Sequence, residues 1–251
     1  MKVLMTGSSG QIGFELGNHL SSEGIVITTL GRRAASPEFD NYSWSLGMSP
    51  KPHSLEGVDC LIHLAWSTTD RGPLDFHLNV GGSRKLIELS KILGIKVINI
   101  SSLSALNPES MYGKAKEMVE KSNSDGINLR VAKIEDQNNL KKQSFLKKLI
   151  RRLIIVPTPR SLTVQVVELD KVIHEITKFL KEDFNPGIYT LSYETYRFEE
   201  YLKKYHQLKI FYVPKSLLNY LFICFNNSGS RKGKILYDRW LSLVSTDRAL
   251  G

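Results

Sequence analysis

Within Ser101–Lys116 (SSLSALNPESMYGKAK) stand the residue types needed to move a proton at a carbonyl or alcohol oxygen. Tyr112 and Lys116 are four residues apart, so on a helix they share a face. An ammonium held near a phenol favours the phenolate and lowers a pKa that starts near ~10. Tyr112 then becomes a proton donor or acceptor near neutral pH. A serine hydroxyl reaching the same substrate oxygen would orient it. Ser102 and Ser104 compete for that place, because their register after the preceding apolar strand leaves the choice open. A Tyr-x-x-x-Lys pair is also an ordinary feature of amphipathic helices, so its meaning rests on the elements around it.

Those elements begin at the N-terminus. Lys2–Thr6 reads as a short buried strand. It leads into Gly7-Ser8-Ser9-Gly10-Gln11-Ile12-Gly13 and then the helical pattern Phe14–Ser22. Strand, glycine turn and helix in that order form the context of a dinucleotide-binding turn. Gly7 allows the tight turn, Gly10 lets the backbone approach a pyrophosphate, and Gly13 lets the helix lie close to the strand. Ser9, Gln11 and Ile12 line the same turn, where the helix N-terminus supplies amide donors. The spacing is G-x-x-G-x-x-G, not the G-x-G-x-x-G of many dehydrogenases. The second strand, Ile25–Leu30, ends in Gly31-Arg32-Arg33. An acidic residue there would bind the ribose hydroxyls of NAD, whereas arginine accommodates a 2′-phosphate. Neither Asp nor Glu follows before Glu38, so Arg32 and Arg33 favour NADP(H) over NAD(H). The competing reading is a pair of solvated loop charges.

Further on, Tyr42–Leu46 suggests a third strand. Val58–Ala65 (VDCLIHLA) is a buried strand that brings Leu64 and Ala65 to the cofactor end. A helix within Asp70–Leu93 holds Asn79, and Ile95–Ile100 is a strand that delivers Ser101 and Ser102. Strands alternating with helices predict an α/β fold, a Rossmann-type doubly wound parallel sheet. Ligands bind beyond the carboxyl ends of such strands. Gly7–Gly13, Arg32, the segment after Ala65 and Ser102 all lie at such ends and should converge. The chain of 251 residues is long enough for one domain with an appended lobe, and its 41% hydrophobic and 24% charged composition excludes global disorder. A net charge of +9 favours anionic partners without choosing among them. Two cysteines and six scattered histidines supply neither a disulfide framework nor a metal-ligand spacing. Before Val3 there is no room for a signal peptide, and the apolar run Leu217–Phe225 falls short of the ~20 residues of a bilayer span. A cytoplasmic setting is therefore expected.

Taken together, these residues resemble the extended branch of the short-chain dehydrogenase/reductase superfamily, the nucleotide-sugar epimerases, dehydratases and reductases. The resemblance covers the Gly7–Gly13 turn, His63-Leu64-Ala65, Asn79-Val80-x-Gly82, the serine pair and Tyr112-x-x-x-Lys116. It continues in Asn128–Lys133 with Arg130 as a sixth strand, in Val166–Asp170 as the segment returning to the core, and in Gly187–Leu191 as the last core strand. It implies Tyr112 as acid/base, with Lys116 binding the nicotinamide ribose and lowering the tyrosine's pKa. Ser102 would hydrogen-bond the reacting oxygen, and Asn79 would be the fourth polar member of the site. It also implies a homodimer paired through the helices around 79–93 and 112–122, and a place in nucleotide-sugar metabolism such as polysaccharide biosynthesis. Several features depart from the family pattern: the short Ser102–Tyr112 interval, Asn107 in place of glycine, and serine after Gly82.

The same resemblance divides the chain into a dinucleotide-binding core, 1–134 with 162–192 returning to it, and a smaller, mostly helical substrate lobe, 135–161 and 193–251. In the lobe, Leu140, Phe145, Leu146, Leu149, Ile150 and Leu153 recur at near-helical spacing among Lys141, Lys142, Lys147, Lys148, Arg151 and Arg152. This basic amphipathic helix is a solvated face, a contact for a substrate diphosphate, or a contact for an acidic membrane surface. Arg160 is a candidate pyrophosphate ligand. Phe211, Tyr212, Leu217, Leu221, Phe222 and Phe225 read as lobe core, with a membrane-docking patch as the minority reading, and Asn226–Gly233 reads as a flexible loop. The leading function is an NADP(H)-dependent reductase of a nucleotide-linked keto-sugar. The alternatives are a nucleotide-sugar 4-epimerase holding NAD, and a non-catalytic dinucleotide-binding sensor or assembly protein. Retention of Ser102, Tyr112 and Lys116 argues against the last, and no aromatic-basic interleaving supports nucleic-acid binding.

Overall fold

The computed structural model describes residues 1–33, 36–67, 73–135, 155–158, 162–191, 193–206, 209–228 and 230–250. Twelve strands lie among the described residues. In chain order they are β1 Lys2–Thr6, β2 Val26–Gly31, β3 Asp40–Ser43, β4 Cys60–His63, β5 Lys96–Ser102, β6 Ile127–Val131, β7 Lys133–Glu135, β8 Ile155–Thr158, β9 Thr163–Glu168, β10 Gly187–Thr190, β11 Glu194–Arg197 and β12 Lys209–Tyr212. The helices are α1 Gln11–Ser22, α2 Pro73–Ile92, α3 Met111–Ser122, α4 Leu169–Lys181, α5 Phe198–Tyr201, α6 Lys215–Asn227 and α7 Arg231–Leu250.

Seven strands form one parallel sheet in the order β10-β6-β5-β4-β1-β2-β3. Its five inner strands are largely apolar and buried because both faces are covered, while the edge strands β3 and β10 are half-exposed. Side chains alternate between the faces. Val3, Met5, Cys60, Ile62, Ile98 and Ile100 meet Leu16 and Leu20 of α1 and Val172, Ile176 and Phe179 of α4. Leu4, Leu61 and Val97 point the other way, onto Leu86 and Ile87 of α2 and Val119 of α3. The chain leaves β1 toward β2 and β3, then crosses back to β4. The strand order therefore reverses between β1 and β4, and a ligand crevice opens at their carboxyl ends.

Several boundaries differ from those the sequence predicts. The first helix begins at Gln11, directly out of the glycine turn, rather than at Phe14. The third strand is Asp40–Ser43, since Trp44 leaves the strand to be buried against Leu30 and Leu86. The fifth strand continues through Ser101 and Ser102. The segment Val166–Asp170, expected to return to the core, spans the end of β9 and the start of α4 and brings Val167 and Leu169 into the main core. Its strand β9 lies between β7 and β11 in a three-stranded sheet. There Val164 and Val166 pack on Tyr201 and Tyr205, while Val167 packs into the main core.

At the C-terminal end α6 and α7 form a helical hairpin, with Phe222 stacked on Trp240 at 4.9 Å between ring centroids. Asn226–Gly233 is mostly helical rather than loop, as α6 runs to Asn227 and α7 starts at Arg231. The expected lobe core is also corrected. Phe211, Tyr212, Leu217, Leu221 and Phe225 are exposed, and of α6 only Leu218 is buried, with Phe222 half-buried. The reason is that α7 covers one side of α6 and no described residue covers the other. The basic helix within 140–153 and Arg160 lie outside the described residues.

Candidate active site

Gly7 has φ +69°, and a Cβ on it would lie 2.8 Å from both Leu64 C and Ala65 N, so the turn presses directly on the loop after β4. At Gly13 a Cβ would meet Gly7 O at 2.4 Å, which is why α1 can start so close to the strand. Gly10 caps α1 without a side-chain hydrogen bond, and no acidic residue stands in the first turn. The positive end of the helix is thus presented to an anion by Gly10, Gln11, Ile12 and Gly13. Ser9, Gly10 and Gln11 are exposed on this rim. Arg32 and Arg33, also exposed, follow the end of β2, next to β1 in the sheet. A pyrophosphate and an adenosine ribose fit these residues.

The loop after β4 is held by a small buried network. Thr6 Oγ1 accepts from the amides of Leu64 and Ala65, both at 3.1 Å. Its own proton is then left for His63 Nδ1, 2.8 Å away. His63 is therefore the Nε2–H tautomer and donates to Ser83 Oγ on α2 at 2.8 Å. Burial, with the charge of Lys116 adding to it, pushes the His63 pKa down to about 3. Buried Asn79 brackets the next peptide, accepting from Ser67 N at 2.7 Å and donating to Ser67 O at 3.0 Å. Asn79 touches the loop, not Tyr112.

The helix α3 starts at Ser110, whose hydroxyl caps Gly113 N at 3.0 Å. Asp238 of α7 accepts from Met111 N at 2.5 Å and from Tyr112 N at 3.4 Å. Further along α3, Glu120 forms a two-point ion pair with Arg130 of β6, at 2.9 and 2.7 Å, and accepts from Ser101 of β5 at 2.5 Å. This network anchors the helix to the sheet and uses Ser101 and Arg130 structurally.

Ser102 is the serine whose side chain acts on the Tyr112 phenol, countering the rise in its pKa. Ser104 is engaged elsewhere: its hydroxyl pairs with Ser242 of α7 at 2.7 Å. Ser102, not Ser104, is thus the serine at the phenol. Lys116 is buried one turn beyond Tyr112. Its Nζ donates to Ile100 O at 2.8 Å and lies 3.8 Å over the centre of the Trp66 ring. Trp66 also meets Tyr112 edge-to-face at 5.7 Å. Together they make a compact cluster of Trp66, Ser102, Tyr112 and Lys116. Trp66 and Asp238 are missed by sequence reasoning. The only signal for Trp66 is an aromatic residue directly after Ala65, and Asp238 lies 126 residues from Tyr112.

The electrostatics correct one expectation. Burial raises the Tyr112 pKa, opposed only by the Ser102 hydrogen bond, and Lys116 does not lower it. The lysine is satisfied by a carbonyl and an indole face rather than by the phenol oxygen. Burial also drives its own pKa down to about 7, against the attraction of Glu120.

The sheet order, the glycine turn at the reversal point and the hydroxyl–lysine cluster beside it define a Rossmann-type dinucleotide-binding fold with a candidate acid/base site. The profile of the NAD dependent epimerase/dehydratase family matches residues 3–132, more than half of the chain, and the chain belongs to that family. Among solved structures, it resembles a Thermus thermophilus UDP-glucose 4-epimerase in complex with NAD. The two share 19% identity and a TM-score of 0.68, over 85% of this chain and 86% of the other. A UDP-N-acetylglucosamine 4-epimerase from Bacillus cereus shares 16% identity and a TM-score of 0.69, over 85% of each chain. A dTDP-glucose 4,6-dehydratase from Streptomyces venezuelae, with NAD and TYD bound, shares 16% identity and a TM-score of 0.69, over 85% and 84%. A search of curated protein sequences gives no match.

Proposed function

We propose that this chain is an NAD(P)(H)-dependent oxidoreductase that reduces a keto group of a nucleotide-linked sugar, with Tyr112 as the acid. The observation that supports it best is the Ser102–Tyr112 hydroxyl pair with Lys116 one turn on, placed beside the glycine turn. The Gly7–Gly13 turn would hold the pyrophosphate, and Arg32 and Arg33 a 2′-phosphate. Leu64, Ala65 and Lys116 would line the nicotinamide riboside. When bound, the nicotinamide supplies the reducing equivalent. Tyr112 donates its proton to the carbonyl oxygen, and Ser102 orients that oxygen. A phenol whose pKa is raised by burial stays protonated near neutral pH, the state a reduction requires. Asn79 fixes the loop that lines the site. In this reading residues 1–134 and 162–192 form the dinucleotide-binding core, and 135–161 with 193–251 form the substrate lobe.

Fluorescence titration with NADPH and NADH is the first test, followed by turnover with UDP- and dTDP-linked keto-sugars. Reversible, preferential NADPH binding supports the reductase. Tyr112→Phe is expected to reduce turnover by about 10²-fold or more while leaving dinucleotide affinity unchanged. An equal loss of binding and turnover would count against an acid role. The second reading is a 4-epimerase or dehydratase holding NAD tightly, favoured by the named activities of the structural neighbours. NAD released from the purified protein on denaturation would select it.

A further inference from the structure

The positive charge of this chain is concentrated in two stretches. Residues 137–167 and 201–237 hold seven Lys and Arg each, fourteen of the 34, and none of the 25 Asp and Glu. The remainder, with 20 basic and 25 acidic side chains, has a net charge of −5. Of the first stretch, β8 pairs in parallel with β12 from the second. Beyond β12 the second stretch continues into α6, KSLLNYLFICFNN, which has no charged residue after Lys215.

On α6 the apolar stripe faces solvent. Leu218 and Phe222 turn toward α7, Asn219 accepts the Trp240 indole N–H at 2.7 Å, and Lys215 pairs with Asp247 at 3.0 Å. That side is satisfied. Leu217, Tyr220, Leu221, Cys224 and Phe225 follow the spacing i, i+3, i+4, i+7, i+8 and so form one face. Leu217 is 46% exposed, Tyr220 65%, Leu221 42% and Phe225 44%, with Phe211 of β12 at 61%. Such a stripe ordinarily packs on a core. At its C-terminal end, where Gly233 lies against the Phe225 carbonyl, the exposed Lys232 and Lys234 follow in the first turn of α7.

We propose that α6, with Phe211, Lys232 and Lys234, docks the protein on an anionic lipid bilayer, with α6 lying in the interface plane. The stripe would enter the boundary between headgroups and acyl chains while the lysines meet lipid phosphates. Residues 201–237 contain no carboxylate of their own, and the acids that meet them, Glu199 at Tyr212 and Asp247 at Lys215, are already engaged in those contacts. The helix has 13 residues, about 20 Å at the usual rise, too short to cross. Among the described residues no helix is long and apolar enough to span a membrane. A second copy fits this face less well. A two-fold dimer sets the same patch against itself, so two acid-free basic stretches would repel. Nucleic acid would satisfy the lysines but leave the apolar stripe in water.

The test is sedimentation of the full chain with vesicles of phosphatidylcholine alone or mixed with phosphatidylglycerol, alongside light scattering of the protein by itself. Partitioning into the anionic vesicles is expected to exceed that into neutral ones by at least about tenfold at low salt, and to fall as salt rises. A Tyr220→Ser/Phe225→Ser variant and a Lys232→Glu/Lys234→Glu variant should each lose binding by about tenfold or more, with unchanged melting and dinucleotide titration. Equal binding to both vesicle types, or to neither, overturns the proposal. So does a stable dimer that the Tyr220→Ser/Phe225→Ser variant disperses, with no vesicle binding in the parent.

Discussion

Lys116 has its ammonium on the Ile100 carbonyl and the Trp66 ring, and burial lowers its pKa from 10.5 to about 7. Between those two values the unfolded chain holds a proton that the folded chain has released, so stability rises with pH across that window. Below about 7 both states are protonated and the penalty of the buried charge is complete. Urea midpoints of the parent and Lys116→Met, measured from pH 7 to pH 10, should show the parent gaining on the variant as pH increases. Parallel curves would mean that the lysine is charged at all these values. Trp66 packs on both partners of the site, its indole face under the Lys116 ammonium and its ring edge-to-face with Tyr112.

At the scale of elements, two buried polar networks hold the site together. Glu120 ties α3 to β6 through Arg130 and to β5 through Ser101. Removing its charge leaves the Arg130 guanidinium nearly buried and unpaired, so Glu120→Gln should cost about 3 kcal/mol in chemical denaturation. A loss below about 1 kcal/mol would mean water reaches Arg130. The second network joins β1, the loop after β4 and α2 through Thr6, His63 and Ser83. The His63 pKa drops from 6.5 to about 3 on folding. The unfolded chain therefore binds the extra proton in that interval, and stability is lost as pH falls from about 6.5 toward 3. His63→Gln should make the acid limb of a stability–pH curve shallower, at some cost in stability at neutral pH. An unchanged acid limb would place the acid-sensitive group elsewhere.

Considered whole, the molecule is a dinucleotide-binding sheet whose C-terminal hairpin reaches back to the site. α7 contacts α3 through Asp238 and Ser104 through Ser242, and between those two residues its Trp240 supports α6. Cofactor binding should therefore be visible in global stability. A dinucleotide at about 100 times its Kd is expected to add about 2.7 kcal/mol. If Arg32 and Arg33 bind a 2′-phosphate, Arg32→Ser/Arg33→Ser should shrink the shift in melting temperature caused by NADPH and leave that caused by NADH unchanged. Equal loss for both would mean that the pair acts only as general positive charge.

Much of this was legible in the residues themselves. The strands of the central sheet show as apolar runs because a parallel sheet buried on both faces needs apolar side chains at successive positions. Gly7 and Gly13 stand out because nothing larger than hydrogen fits where the turn meets Leu64 and Ala65 and where α1 meets the turn. The i, i+4 spacing places Tyr112 and Lys116 on one helical face by geometry alone. Which serine meets the phenol was decided by the register of β5 and by Ser242 drawing Ser104 away. The direction of the Tyr112 pKa shift was decided by enclosure, and the partner of Lys116 by a tryptophan on another strand's loop. Periodicity likewise marks the apolar stripe of α6, but whether such a stripe becomes core or surface depends on which neighbour arrives to cover it. That neighbour is set by contacts between residues distant in the chain.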